Sequence, residues 1–234
     1  EMKNLLLVIC ILTIAVAALS QQKTYCNPIN IDYGYTPIPN FSEWGRHRAT
    51  ADPVVVTYKG DYYLFSTNQW GYWWSNDMLN WKFISKKFLR PWNAGVYDEL
   101  CAPGVGIIGD TMLVFGSTYT SKFTIWMSTN PKANEWKPLV DSFEIGGWDP
   151  SFFTDDDGRL YMYNGSSNKF PMYGIELDRK TMKPIGTRKE MYLLESWRFG
   201  WQRFGEHMDN TFLDPFIEGS HMTKYKNKYY LQYG

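Results

Sequence analysis

"VVVTYKGDYYLFST" (54–67) is a run of β-branched residues, interrupted once at Lys59-Gly60 and resumed by aromatic residues. Val, Tyr and Phe fit a pleated, half-buried surface, and a short break containing Gly between two such runs marks a tight hairpin. Strand, turn and strand return as "VGIIGDTMLVFGST" (105–118), "PSFFTDDDGRLYMYNG" (150–165) and "MTKYKNKYYLQYG" (222–234). Pro53, Pro103 and Pro150 stand ahead of the first three hairpins, so the unit recurs after 50 and then 47 residues. Each of these three continues into further short strands: "GYWWSNDMLNWKFI" (71–84), "FTIWMSTNPKANEWKPL" (123–139) and "MYGIELDRKTMKPIG" (172–186). Four strands at a period of roughly fifty are the pattern of β-propeller blades. The expected fold is therefore all-β, a β-propeller with about three and a half blades in this chain, spanning 49–97, 98–146, 147–195 and 213–234. A propeller closes last blade on first, and an open blade edge is an aggregation hazard, so the natural protein is expected to continue past Gly234. The stretch "ESWRFGWQRFGEHMDNT" (195–211) interrupts the period and reads as a long aromatic loop.

Ahead of the propeller, "MKNLLLVICILTIAVAALS" (2–20) has an early lysine, an apolar middle and a small-residue exit, the layout of a secretory signal peptide. Its apolar run is shorter than the ~20 residues of a spanning helix, and no second run of that length follows. Residues 1–20 are thus expected to be a signal peptide, 21–48 an irregular lead-in, and the protein to be secreted or periplasmic with no membrane span. The chain carries 24 basic and 24 acidic residues, so charge names no partner, and nucleic acid, which binds through accumulated basic charge, is not expected. Past the signal only Cys26 and Cys101 remain, enough for one disulfide at most, which excludes a small cysteine-stapled fold. Aromatic residues make up 18% with eleven Trp, suiting both β-structure and the surfaces on which sugar rings stack.

One letter in each repeat is out of place. Asp52, Asp149 and Glu218 head runs that otherwise read as buried strands. In a propeller the inner strand of every blade begins on the same face, around the axis, so three acids distant in sequence are expected to meet at one mouth. An Asp before Pro is by itself a common turn device, and Asp214-Pro215 is assigned to that role. Clustered carboxylates are costly to desolvate, and their gathering calls for a function. Two carboxyl groups flanking a gap are the equipment of glycoside hydrolysis, and a third can set the proton donor's pKa.

At these residues the chain resembles glycoside hydrolase family 43. "ADP" (51–53) before an apolar strand, "WDPSFFTDDDGRLYMYNGS" (148–166), and "EG" (218–219) before "KYKNKYYLQY" match its three active-site motifs in order. The resemblance implies a five-bladed propeller acting on arabinose- or xylose-containing polymers, or galactans, with a carbohydrate substrate as partner and inversion of the anomeric centre. It implies Asp52 as general base, Asp149 as the group that tunes pKa and orients, and Glu218 as general acid. Inversion leaves room for a water, corresponding to carboxyl groups about 6.5–9.5 Å apart. No cofactor is required. The resemblance also implies a calcium ion on the propeller axis in many members, held largely by later blades, so no ligand is assigned. "CAP" (101–103) and "EGS" (218–220) depart from the family's usual neighbours and leave the sugar open.

The loops on the mouth face nominate Asn68, Trp70, Trp148, Asn164 and Ser166 as substrate contacts. Trp74, Trp81, Trp126 and Trp136 fall within third and fourth strands and read as blade packing. "SNDMLNW" (75–81) echoes the sialidase aspartate box, a turn motif. His47, His207 and His221 lack metal-ligand spacing, and "TDDDG" (154–158) reads as a solvated hairpin turn rather than a calcium loop. Two other functions fit the fold. A retaining fructosidase-like propeller would carry different neighbours from Ala51, Trp148 and Gly219, and a non-catalytic sugar-binding propeller would lose the acids.

Overall fold

The computed structural model describes residue 31 and residues 51–67, 70–88, 100–118, 123–145 and 147–234. The signal peptide and all of the lead-in except Ile31 lie outside these residues, as do Cys26, His47 and Asn68. The described strands fall into four antiparallel meanders. The first is β1 (Val54–Tyr58), β2 (Asp61–Phe65), β3 (Gly71–Ser75) and β4 (Lys82–Ser85). The second is β5 (Cys101–Ile108), β6 (Thr111–Ser117), β7 (Ile125–Asn130) and β8 (Glu135–Val140). The third is β9 (Ser151–Thr154), β10 (Leu160–Asn164), β11 (Met172–Leu177) and β12 (Pro184–Tyr192), and the fourth holds β13 (His221–Tyr225) and β14 (Lys228–Gln232). Apart from Ile31, all described residues belong to one compact unit, 32–234.

The turns form because their sequences accept left-handed backbone. Lys59 and Gly60 both have positive φ, as do Lys226 and Asn227, and each pair closes a two-residue hairpin. That is the turn whose twist matches a right-handed pair of strands.

Blades pack face to face, and β6 shows why an interior strand reads as a continuous apolar run. Met112 and Val114 join the cluster between the first and second blades, with Tyr63, Phe65, Tyr72, Phe88 and Trp126. Leu113 and Phe115, on the opposite face, join the cluster between the second and third blades, with Phe152, Leu160, Met162, Ile175 and Leu177. A strand buried on both faces shows no polar alternation. Burying each such side chain contributes about 1.5–3 kcal/mol. Trp81 and Trp126 are buried, the Trp126 indole donates to the Phe88 carbonyl, and that of Trp136 donates to the Tyr72 hydroxyl at 2.9 Å. These tryptophans are packing elements.

Toward the axis the inner strands lie side by side: β1 with β5, β5 with β9, and β9 with β13. They approach so closely that glycine is needed. A Cβ on Gly104 would sit 2.5 Å from the Pro150 carbonyl oxygen, and one on Gly106 would sit 2.9 Å from the Phe152 Cβ.

At the opposite ends of the inner strands, "TDDDG" does more than turn the chain in solvent. Asp155 accepts hydrogen bonds from Lys224 Nζ and the Tyr229 hydroxyl, both at 2.5 Å, tying the third blade to the fourth. The Lys224 contact, followed by that from Tyr229, holds the Asp155 carboxyl down at about 2. Asp77 of the aspartate-box stretch is a local device: it accepts from the backbone N–H groups of Leu79 and Asn80, each at 2.8 Å.

Candidate active site

The four inner strands share one entrance. In the first, third and fourth blades the N–H at the end of the second strand bonds back to the residue before the entrance: Thr67 to the Ala51 carbonyl, Gly165 to Trp148 and Gly234 to Glu218, each at 2.9 Å. Cys101 pairs with Ser117 in the same way in the second blade, and in every blade the register slips by one residue at this point. The next residue, Asp52, Ala102, Asp149 or Gly219, has positive φ of 51, 43, 53 or 66°. The entrance is a bulge, a feature that re-aims side chains beside functional sites. For Asp52 and Asp149 the strain is modest because Asp visits this region more readily than most residues, whereas Ala102 bears a cost of roughly 1–2 kcal/mol.

This register corrects one expectation. Glu218 is not the counterpart of Asp52 and Asp149. It matches Ala51, Cys101 and Trp148, and the counterpart of the two aspartates is Gly219. Aligning the acids by letter hid the slip, because a bulge leaves no mark in the residue types. The three carboxylates nevertheless meet. A depression of about 440 Å³ is lined by Asp52, Asp149 and Gly219 with the first residues of all four inner strands. The Gly219 N–H donates to Asp149 Oδ2 at 3.1 Å.

Burial, then the charge of Glu218 and to a smaller extent that of Asp52, push the Asp149 carboxyl up to about 6, against the pull of the Gly219 N–H. A raised carboxyl pKa contributes stability that is present below the ordinary carboxylate range and is lost as pH rises through about 6. Ionised Asp149 is therefore a cost that the fold carries at neutral pH.

Hydroxyl groups that sequence reasoning missed complete the entrance. The Ala102 N–H donates to Thr67 Oγ1 at 2.6 Å, which leaves the Thr67 hydroxyl to donate its own proton to Asp52 Oδ2, also at 2.6 Å. In the next gap between blades the Asp149 N–H donates to Ser117 Oγ at 3.0 Å. In the third gap that register position is Gly165, which has no hydroxyl, and the Gly219 N–H goes to the Asp149 carboxylate itself. The available signal was the "ST" closing "FST" and "GST" in the first two hairpins and its absence from the third.

The sequence model of glycosyl hydrolases family 43 matches residues 47–234. The chain belongs to this family. A xylan 1,3-β-xylosidase from a Vibrio species is 29% identical over 169 residues, 60% of this chain and 31% of that protein. A family-43 endo-arabinanase from Bacillus licheniformis superposes with a TM-score of 0.56 at 19% identity, over 78% of this chain and 64% of the other. An α-L-arabinofuranosidase from Clostridium thermocellum superposes at 0.57 and 21% identity, over 78% and 63%. The family-43 chain thus spans about a third of the xylosidase and under two thirds of either solved structure. The structural likenesses establish the propeller fold.

The other nominated residues of the family-43 chain divide. Ser166 reaches the mouth, its Oγ 3.4 Å from Glu218 Oε2. Trp148 is half-buried beside it in sequence and gives its carbonyl to Gly165. Trp70 has the Lys87 ammonium 3.4 Å from its ring centroid and its indole nitrogen buried, so a cation already occupies one of its faces. Asn164 is only 3% exposed, with its amide against the α-carbon of Gly147, and its contact is with the protein rather than the mouth. Among the described residues no group of three or more His, Cys, Asp or Glu side chains is placed to hold a metal ion.

Proposed function

We propose that this chain carries the catalytic centre of an exported glycoside hydrolase that cleaves arabinose- or xylose-containing polysaccharide in one step, with inversion at the anomeric carbon. The supporting observation is the single depression into which three blades deliver Asp52, Asp149 and the segment bearing Glu218, close enough that two of the charges raise the pKa of the third. In this reading Asp52 takes a proton from a water as that water's oxygen bonds to the anomeric carbon. Glu218 gives its proton to the glycosidic oxygen as the carbon–oxygen bond breaks, and one proton is gained and one lost between the two carboxyls. Asp149 sets the charge state of the group and, through the Gly219 N–H, holds the segment that carries Glu218. Thr67, with its proton committed to Asp52, fixes that carboxylate as an acceptor. Export rests on the N-terminal stretch 2–20, and the sugar on the names of the similar proteins, an arabinofuranosidase, an arabinanase and a xylosidase.

A panel of nitrophenyl α-L-arabinofuranoside, β-D-xyloside and β-D-galactoside tests the proposal. Release of nitrophenol is expected from one of the first two. Hydrolysis of the galactoside alone would move the substrate to galactan, and a chain that binds soluble polysaccharide but hydrolyses neither these nor the polymers would be the non-catalytic sugar binder.

A further inference from the structure

Residues 193–217, in the connection between β12 and β13, carry aromatic side chains that the proposed chemistry does not use. Trp197 is 78% exposed and Trp201 62%. The connection is nevertheless fastened. Gln202, 6% exposed, accepts from the Glu195 N–H at 2.8 Å and donates to the hydroxyls of Tyr192 and Tyr233 at 2.5 and 3.0 Å. Those two rings stack, with centroids 4.9 Å apart. At the other end Ile217 and Ser167 exchange backbone hydrogen bonds of 2.9 and 3.2 Å.

Both fastenings lie on the face that bears Glu218. Tyr233 adjoins Gly234, whose backbone pairs with that of Glu218 at 2.9 and 3.0 Å, and Ile217 immediately precedes Glu218. Trp201 itself is held in a fixed orientation. It stacks on Phe199, 4.5 Å between centroids and 30° between planes, and the Arg198 guanidinium lies 4.8 Å from the Phe199 ring on the same short turn. The Trp201 indole is therefore covered on one face by Phe199, while most of its surface is open to water. An aromatic ring presented in a set orientation, with its ordering cost already met by the protein, is preorganised to stack on the flat apolar face of a sugar ring.

We propose that Trp201 is a stacking platform for a sugar unit of the polysaccharide chain, a subsite on the 193–217 connection next to the mouth that holds Glu218. This rests on the reading that the mouth cleaves such a chain. The occupant is a neutral sugar ring of the chain that the mouth is read to cleave, since the contact offered is an aromatic face. Because the platform lies outside the depression, it adds affinity for a polymer.

Native gel electrophoresis of the full chain through soluble arabinan, arabinoxylan and xylan tests this, in an Asp52→Asn background so that the polymer stays intact. The Asp52→Asn protein is expected to be retarded by at least one polymer. Adding Trp201→Ala should weaken apparent binding about tenfold, and Trp201→Phe, which keeps a ring, should restore most of it. Circular dichroism confirms that each variant is folded, and Trp201→Gln, which also removes the ring, carries the test if the alanine variant is not. Equal retardation with and without an aromatic ring at 201, or no retardation of the parent by any polymer, overturns the platform. Wild-type hydrolysis of the nitrophenyl glycosides is read separately. If hydrolysis stands and the ring at 201 is irrelevant, only the platform falls; if ring-dependent binding stands without hydrolysis, the catalytic reading falls and the platform remains.

Discussion

Glu218→Gln is expected to lower kcat/KM on an oligosaccharide by about 10³-fold, within the 10²–10⁴ range of a positioned general acid. The substitution keeps size and shape but offers no acidic proton to the departing oxygen. The loss should shrink as the leaving group improves, because nitrophenolate departs with little help while a sugar alkoxide needs a proton. Rates on oligosaccharide and nitrophenyl glycoside, measured for the same variant, read this dependence directly. An equal loss on both would assign Glu218 to binding or folding instead, and near-normal rates on both would remove it from the chemistry.

Asp52→Asn should cost at least as much, about 10³-fold or more, on either leaving group, because the attacking water loses its base whatever group departs. Structure makes this a clean substitution. Position 52 has φ of 51°, a region that Asn accepts as well as Asp does. The Thr67 hydroxyl can donate to an amide oxygen as it now does to Asp52 Oδ2 at 2.6 Å. Stability should therefore change little while turnover falls. Thermal unfolding and kcat/KM on two leaving groups separate the outcomes, and a folded variant with more than a tenth of wild-type activity would refute the role.

Much of this molecule could be read from its letters. Hairpins announced themselves through Gly60 and Asn227, residue types that accept positive φ, and β-branched and aromatic runs supplied strands of the right length. Blade repetition followed from prolines spaced alike. The meeting of Asp52, Asp149 and the Glu218 segment followed in turn, because propeller geometry brings every inner-strand entrance to one face. What could not be read was register. The one-residue slip at each entrance depends on backbone hydrogen bonds such as Gly165 to Trp148, which any residue can make, and so Glu218 was matched to the wrong neighbours.

Contacts across the gaps between blades were hidden for a related reason. Thr67 meets Ala102, and Asp155 meets Lys224, over 35 and 69 residues of intervening chain, and neither partner identifies the other by type. Asn164 reads as polar and exposed by composition, yet it fills the space that Gly147 leaves empty.

The stereochemistry of the first product tests the central claim most directly. Proton NMR of a cleaved arabinofuranoside or xyloside, recorded within the first minutes before the free sugar equilibrates, shows which anomer is formed. A water activated by Asp52 and delivered opposite the leaving group protonated by Glu218 predicts the inverted anomer as the initial product. Net retention would mean that a carboxylate had bonded to the sugar, and it would contradict the roles assigned to the three acids.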